Sequence, residues 1–117
     1  MGIHGQKAKQ LFFDGYNCAQ SVFCAFCDVH GMNLDEAARI SSSFGGGMGR
    51  LREVCGALSG IFMVVGALYG GYEVTDRAAK TRHYTMIQEL AAKFRAQYGT
   101  LMCHDILDLS SWPSDPE

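Results

Sequence analysis

No stretch of this 117-residue chain alternates apolar and polar residues between turn signals, so β-strands have no signature in it. No basic patch of any length occurs and the formal net charge is −2, which argues against nucleic acid as a partner. The opening MGIHGQKAKQ has no apolar core of a secretion signal. Gln6 stands where N-myristoylation after Met1-Gly2 wants Ser or Thr. The expectation is a cytoplasmic protein. No Gly-Lys-Ser/Thr follows the glycine-rich stretch, which excludes a Walker-type phosphate loop. No second CxxC accompanies Cys24 and Cys27, and no carboxylate pair is placed for general acid–base work.

What is present reads as one helical domain over residues 1–117, with 110–117 a polar tail that frays. Hydrophobic residues make up 48%, enough for a core. Helices are expected over about 4–14, 18–29, 34–43, 51–69 and 76–98, with a short last one over about 101–107. Asn17, Asn33 and Thr100 are candidate N-caps, and Gly15, Gly31, Gly70 and Gly99 are stops. The long helix carries the stripe Ala79, His83, Met86, Ile87, Leu90, Phe94 and Tyr98, and the i,i+4 pairs Asp76–Lys80 and Glu89–Lys93. The segment from Val54 to Tyr72 is uncharged and long enough to span a bilayer. Its glycines and Ser59 favour a buried central helix over a membrane span. The fold class is therefore all-α: a compact bundle of about five to six helices around a central apolar, Gly-rich helix. Gly56, Gly60, Met63, Ala67 and Gly70 share one stripe of that helix. Glycine there costs about 1 kcal/mol against Ala, so close packing, a symmetry mate or a cofactor is implied. A homodimer is one way to meet it.

Chemistry concentrates in the five cysteines, Cys18, Cys24, Cys27, Cys55 and Cys103. An odd number without a secretion signal argues against a disulfide framework. Cys18, Cys55 and Cys103 each fall at or near an expected helix N-terminus, where free N–H groups and partial positive charge favour thiolate. Arg50 and Arg52 add charge beside Cys55. Gly45, Gly46, Gly47 and Gly49 precede it and permit positive φ, so that with Arg50 they form a candidate anion-binding backbone loop. The plainer alternative is a tight connection between helices with Cys55 packed in the core. Cys24 and Cys27 lie mid-helix, about 120° or more around the helix from Cys18. His83 and His104 are spare ligands by chemistry, although His83 sits on the apolar stripe.

The segments GYNCAQSVFCAF, FGGGMGRLREVCGALSG and YGTLMCHDIL together resemble the redox-active protein family named for its C_GCAxxG_C_C cysteine pattern, over about residues 10–110. The specific part is the glycine loop followed by Cys-Gly-Ala-x-x-Gly. The resemblance implies a small helical domain of anaerobe-rich prokaryotes with redox activity. A related domain in split-Soret cytochromes is associated with an iron–sulfur centre. By position, Cys18, Cys55 and Cys103 match the first three family cysteines. The fourth has no counterpart here, and Cys24 and Cys27 are extra to the pattern. A four-cysteine cluster from one subunit is thus not supplied unless Cys24 or Cys27 substitutes. A three-thiolate site completed by His, water or a partner's residue, or shared across a dimer, stays open.

Three functions follow. In the first, Cys18, Cys55 and Cys103 ligate a metal or iron–sulfur centre for electron transfer with an unidentified redox partner. In the second, Cys55 and Cys18 are the catalytic pair of a cofactor-free thiol–disulfide oxidoreductase. In the third, the chain is a non-catalytic helical interaction module with buried cysteines. Three cysteines drawn from separate helices favour the first.

Overall fold

The structure, a computed structural model, describes residues 2–102. Its regular elements are helical: α1 (Ile3–Phe13), α2 (Cys18–Ala25), α3 (Cys27–His30), α4 (Leu34–Ser41), a short helical turn α5 (Gly45–Met48), α6 (Gly56–Tyr69) and α7 (Arg77–Tyr98). A 3₁₀ turn, Ser42–Phe44, joins α4 to α5. The all-α bundle read from the sequence is what forms.

Capping residues set several boundaries. Asn17 accepts from the Gln20 N–H while the Gln20 side chain accepts from the Asn17 N–H, a complete capping box for α2. Asn33 caps α4 through the Glu36 N–H, and Asp76 caps α7 through the Ala79 N–H. Asp76 is spent on that cap. Among the described residues, neither Asp76–Lys80 nor Glu89–Lys93 closes to a salt bridge.

The expected helix over 18–29 is two helices, because Phe26 (φ −103°, ψ 16°) leaves helical geometry. Side chains hold this break. The His4 ring stacks on Phe26 with centroids 4.3 Å apart and bonds Asp28 at 3.1 Å. The His30 ring stacks on Phe23, its Nε2 lies 2.9 Å from the Phe23 carbonyl, and its Nδ1 accepts from the Met32 N–H. With Nδ1 accepting, Nε2 is the nitrogen placed to donate to the Phe23 carbonyl.

The core is built on α2, which packs against α1, α4 and α6. Ala19, Phe23, Cys24, Ala25, Ala37, Leu58 and Val64 are buried in it. The apolar helix α6 shares this centre. A Cβ on Gly60 would meet the Ala19 carbonyl oxygen and Val22 Cβ, both at 2.9 Å, so the glycine lets α2 and α6 touch backbone to backbone. Gly66, further along, has open space beside it. The α7 stripe is half-buried from Ala79 to Phe94, but Tyr98 is exposed. No helix among the described residues is long and apolar enough to cross a membrane.

The expected start of the apolar helix near Leu51 is corrected to Gly56. Two features occupy the residues ahead of it. Gly46, Gly47, Met48, Gly49 and Arg50 all have φ between +58° and +73°, a left-handed helical turn. Past it, Val54 forms an antiparallel bridge with Met102, and the Cys55 N–H donates to the Leu101 carbonyl at 2.8 Å. The last expected helix falls almost entirely outside the described residues. Its first positions, Leu101 and Met102, are not helical, and Thr100 Oγ1 accepts from the Met102 N–H.

Candidate functional site

A cavity of about 550 Å³ opens where α1, α2, the left-handed turn and α6 meet. Cys18, the first residue of α2, and Cys55, the N-cap of α6, both line it. Arg50, Arg52 and Gly46 come from the turn, and Phe12 and Tyr16 from the end of α1 and the loop after it. Cysteines far apart in sequence are therefore gathered by two helix starts at one hollow. Both are free and half-buried.

Glycines decide how closely these parts approach. The space a Cβ on Gly56 would need is occupied by the Cys18 sulfur, and the Phe44 carbonyl lies 3.0 Å from that point. The residue after one cysteine is thus the seat of the other. The Asn17 side chain fills the corresponding space at Gly45, and its amide donates to the Ser42 carbonyl at 3.0 Å. The cap that starts α2 is in this way keyed into the glycine turn.

Most of the turn's donors are used inside it. Arg50 N–H returns to the Gly45 carbonyl, Leu51 N–H to Met48, Arg52 N–H to Gly46 and Glu53 N–H to Gly47. Gly46 N–H leaves the turn and donates to the Cys18 sulfur at 3.4 Å. N–H donation of this kind stabilises a thiolate or a metal-bound sulfur. Met48, Arg50 and Arg52 are non-glycine residues held at φ of +66°, +64° and +62°. Each costs on the order of 1–2 kcal/mol against a right-handed conformation. The surrounding hydrogen bonds hold them there, and the result turns both arginines toward the cavity.

Cys24 and Cys27 stand elsewhere. Neither lines the cavity. Cys24 is 1% exposed in the α2 core, and Cys27 packs against that core. Burial first, and then the neighbouring Cys27, push the Cys24 thiol up from 9.0 to about 11, against a hydrogen bond with Ser41. Burial likewise raises Cys27, opposed by the charge of Lys7. The folded state thus keeps the Cys24 proton to higher pH than the unfolded chain, which releases it near 9.0. The native state is favoured in full below that pH, and the advantage is lost as pH rises toward about 11. Urea denaturation at pH 8 and pH 10.5 is expected to show this decline, and Cys24→Ala is expected to flatten it.

His83 is not part of the site. It borders a smaller hollow with Tyr69, Tyr72 and Met86, and its ring centroid lies 5.5 Å from that of Tyr72. Cys103 and His104 lie outside the described residues. Among the described residues, no group of three or more His, Cys, Asp or Glu side chains is gathered for a metal. The sequence reading overlooked Phe12 and Gly15 as cavity lining. Their only local signal is the glycine stop at Gly15, where φ is +109°.

The family model described as "Putative redox-active protein (C_GCAxxG_C_C)" matches residues 16–116. The chain belongs to this family. No curated protein and no solved structure matches it.

Proposed function

We propose that this family member is a redox protein whose centre is the Cys18–Cys55 cavity, with Cys103 as a third sulfur, holding a metal ion or iron–sulfur cluster. The observation that carries this reading is the meeting of Cys18 and Cys55 in one hollow. The Val54–Met102 bridge supports it further, because Cys103 directly follows Met102 and the Leu101 carbonyl is bonded to the Cys55 N–H.

The donor set fits such a group in kind. Thiolates are soft ligands that suit zinc, copper(I) and iron–sulfur centres. The Gly46 N–H on the Cys18 sulfur is the sort of outer bond that tunes a ligand. Arg50 and Arg52 would offset the negative charge of several thiolates. An iron–sulfur or copper centre would supply one-electron transfer here, which zinc and thiol side chains alone would not. The chain's own residues hold the ligands: Cys18 is seated on Gly56, and Cys55 is fixed by its bond to Leu101 and by accepting the Ser59 N–H as N-cap of α6. Phe12 and Tyr16 form an apolar wall to the cavity. Cys24 and Cys27 do not line it, so a fourth donor would come from water, a histidine beyond the described residues or a partner molecule. A reducing cytoplasm suits a chain whose described cysteines are all free.

Protein purified without oxygen is expected to show visible absorption that disappears with a strong chelator, with metal found by elemental analysis. A colourless, metal-free preparation would overturn this reading. The thiol-exchange alternative would then take its place, since two half-buried thiols in one cavity satisfy its main requirement. In that reaction one thiolate attacks a substrate disulfide, releasing one half as thiolate, and the second thiolate displaces the other half to leave a Cys18–Cys55 disulfide.

A further inference from the structure

The Arg52 side chain lines the sulfur cavity, yet its Nε is buried and has no hydrogen-bond partner among the described residues. A buried N–H without an acceptor loses its hydration with nothing in return, and more so on a guanidinium. Its guanidinium leans on Gly46, where a Cβ would stand 3.4 Å from one terminal nitrogen. Among the described residues no carboxylate lines the cavity. Two helix starts also open there. Asn17 caps α2, whereas Cys55 offers α6 no side-chain cap. Among the described residues the lining thus carries two arginines and no carboxylate, so its formal charge is positive and it offers Arg52 no anionic partner. The other walls, Phe12 and Tyr16, are aromatic.

We propose that the cavity binds a small carboxylate-bearing molecule, its carboxylate on the Arg52 guanidinium and its apolar body against Phe12 and Tyr16. Guanidinium and carboxylate match as planar, two-point partners. This rests on the redox reading only in taking the cavity as the working site, and it names the class of molecule that the site meets. It does not require a metal.

Two alkylating reagents of nearly one shape test it, iodoacetate with a carboxylate and iodoacetamide without. The full chain is reduced, freed of metal with chelator and reacted at low ionic strength, and labelling at Cys18 and Cys55 is followed by mass spectrometry. N-acetylcysteine sets the reference ratio of the two rates. The ratio of iodoacetate to iodoacetamide at the cavity cysteines is expected to exceed the reference by about tenfold and to fall toward it in Arg52→Gln. Arg52→Lys, which keeps charge but not the fork, is expected to fall between. Cys24, left unlabelled throughout, reports that each variant is folded. A wild-type ratio equal to the reference would overturn the proposal. So would a ratio that Arg52→Gln leaves unchanged while both rates drop together, since Arg52 would then serve only the thiolates. Because the protein is metal-free, neither outcome bears on whether a centre is bound.

Discussion

Gly56→Ala is expected to destabilise the fold by about 1–3 kcal/mol, the usual cost of adding volume to a packed core, and to displace the Cys18 thiol at the same time. The new methyl would need the space the Cys18 sulfur occupies, and the Phe44 carbonyl and the Ala19 amide, at 3.0 and 3.3 Å, block retreat on the other sides. The sulfur is the softest of these neighbours, so it moves first. Doing so breaks its bond with the Gly46 N–H. On the same helix, Gly66→Ala meets nothing within 4 Å and is expected to stabilise by about 0.5–1 kcal/mol through helix propensity alone. Urea denaturation of both variants checks the pair. Equal effects would mean that α6 treats its glycines as propensity defects rather than as seats for neighbours.

The second large effect concerns the cysteines themselves. Cys18→Ser and Cys55→Ser are each expected to cut bound metal by more than about tenfold, the scale already reached when only a ligand's outer partners are changed. Both residues are half-buried, so in metal-free protein the stability cost is expected to stay below about 1 kcal/mol. Cys24→Ser is expected to do the reverse. It buries a hydroxyl at a 1%-exposed core position, costing on the order of 1–3 kcal/mol, and leaves metal content unchanged because Cys24 does not face the cavity. The two kinds of cysteine would thus separate cleanly, one by metal content and the other by stability.

The parts of the fold decided locally were readable. Asn17 and Asn33 cap helices as their positions imply, and Gly31 and Gly99 end theirs at φ +81°. What escaped the sequence depends on distant partners. The start of α6 shifts to Gly56 because Val54 pairs with Met102, a residue no local pattern connects to it. The break at Phe26 is held by His4 from another helix and by the His30 ring. The glycine loop announced positive φ, but that Met48, Arg50 and Arg52 would share it follows from hydrogen bonds that only the folded turn makes. The pattern singled out Cys18 and Cys55, and both line the cavity. The seat of Cys18 on Gly56 was not legible, because the pattern cannot say which side chain fills a missing Cβ.

The proposed joint role of Cys18 and Cys55 in one redox site is tested most directly by metal and acid-labile sulfide per chain, measured on wild type, Cys18→Ser, Cys55→Ser and Cys24→Ser prepared side by side without oxygen. A stoichiometric centre is expected in wild type and Cys24→Ser, and its loss in both cavity variants. Metal that survives either cavity substitution, or that disappears with Cys24, would contradict it.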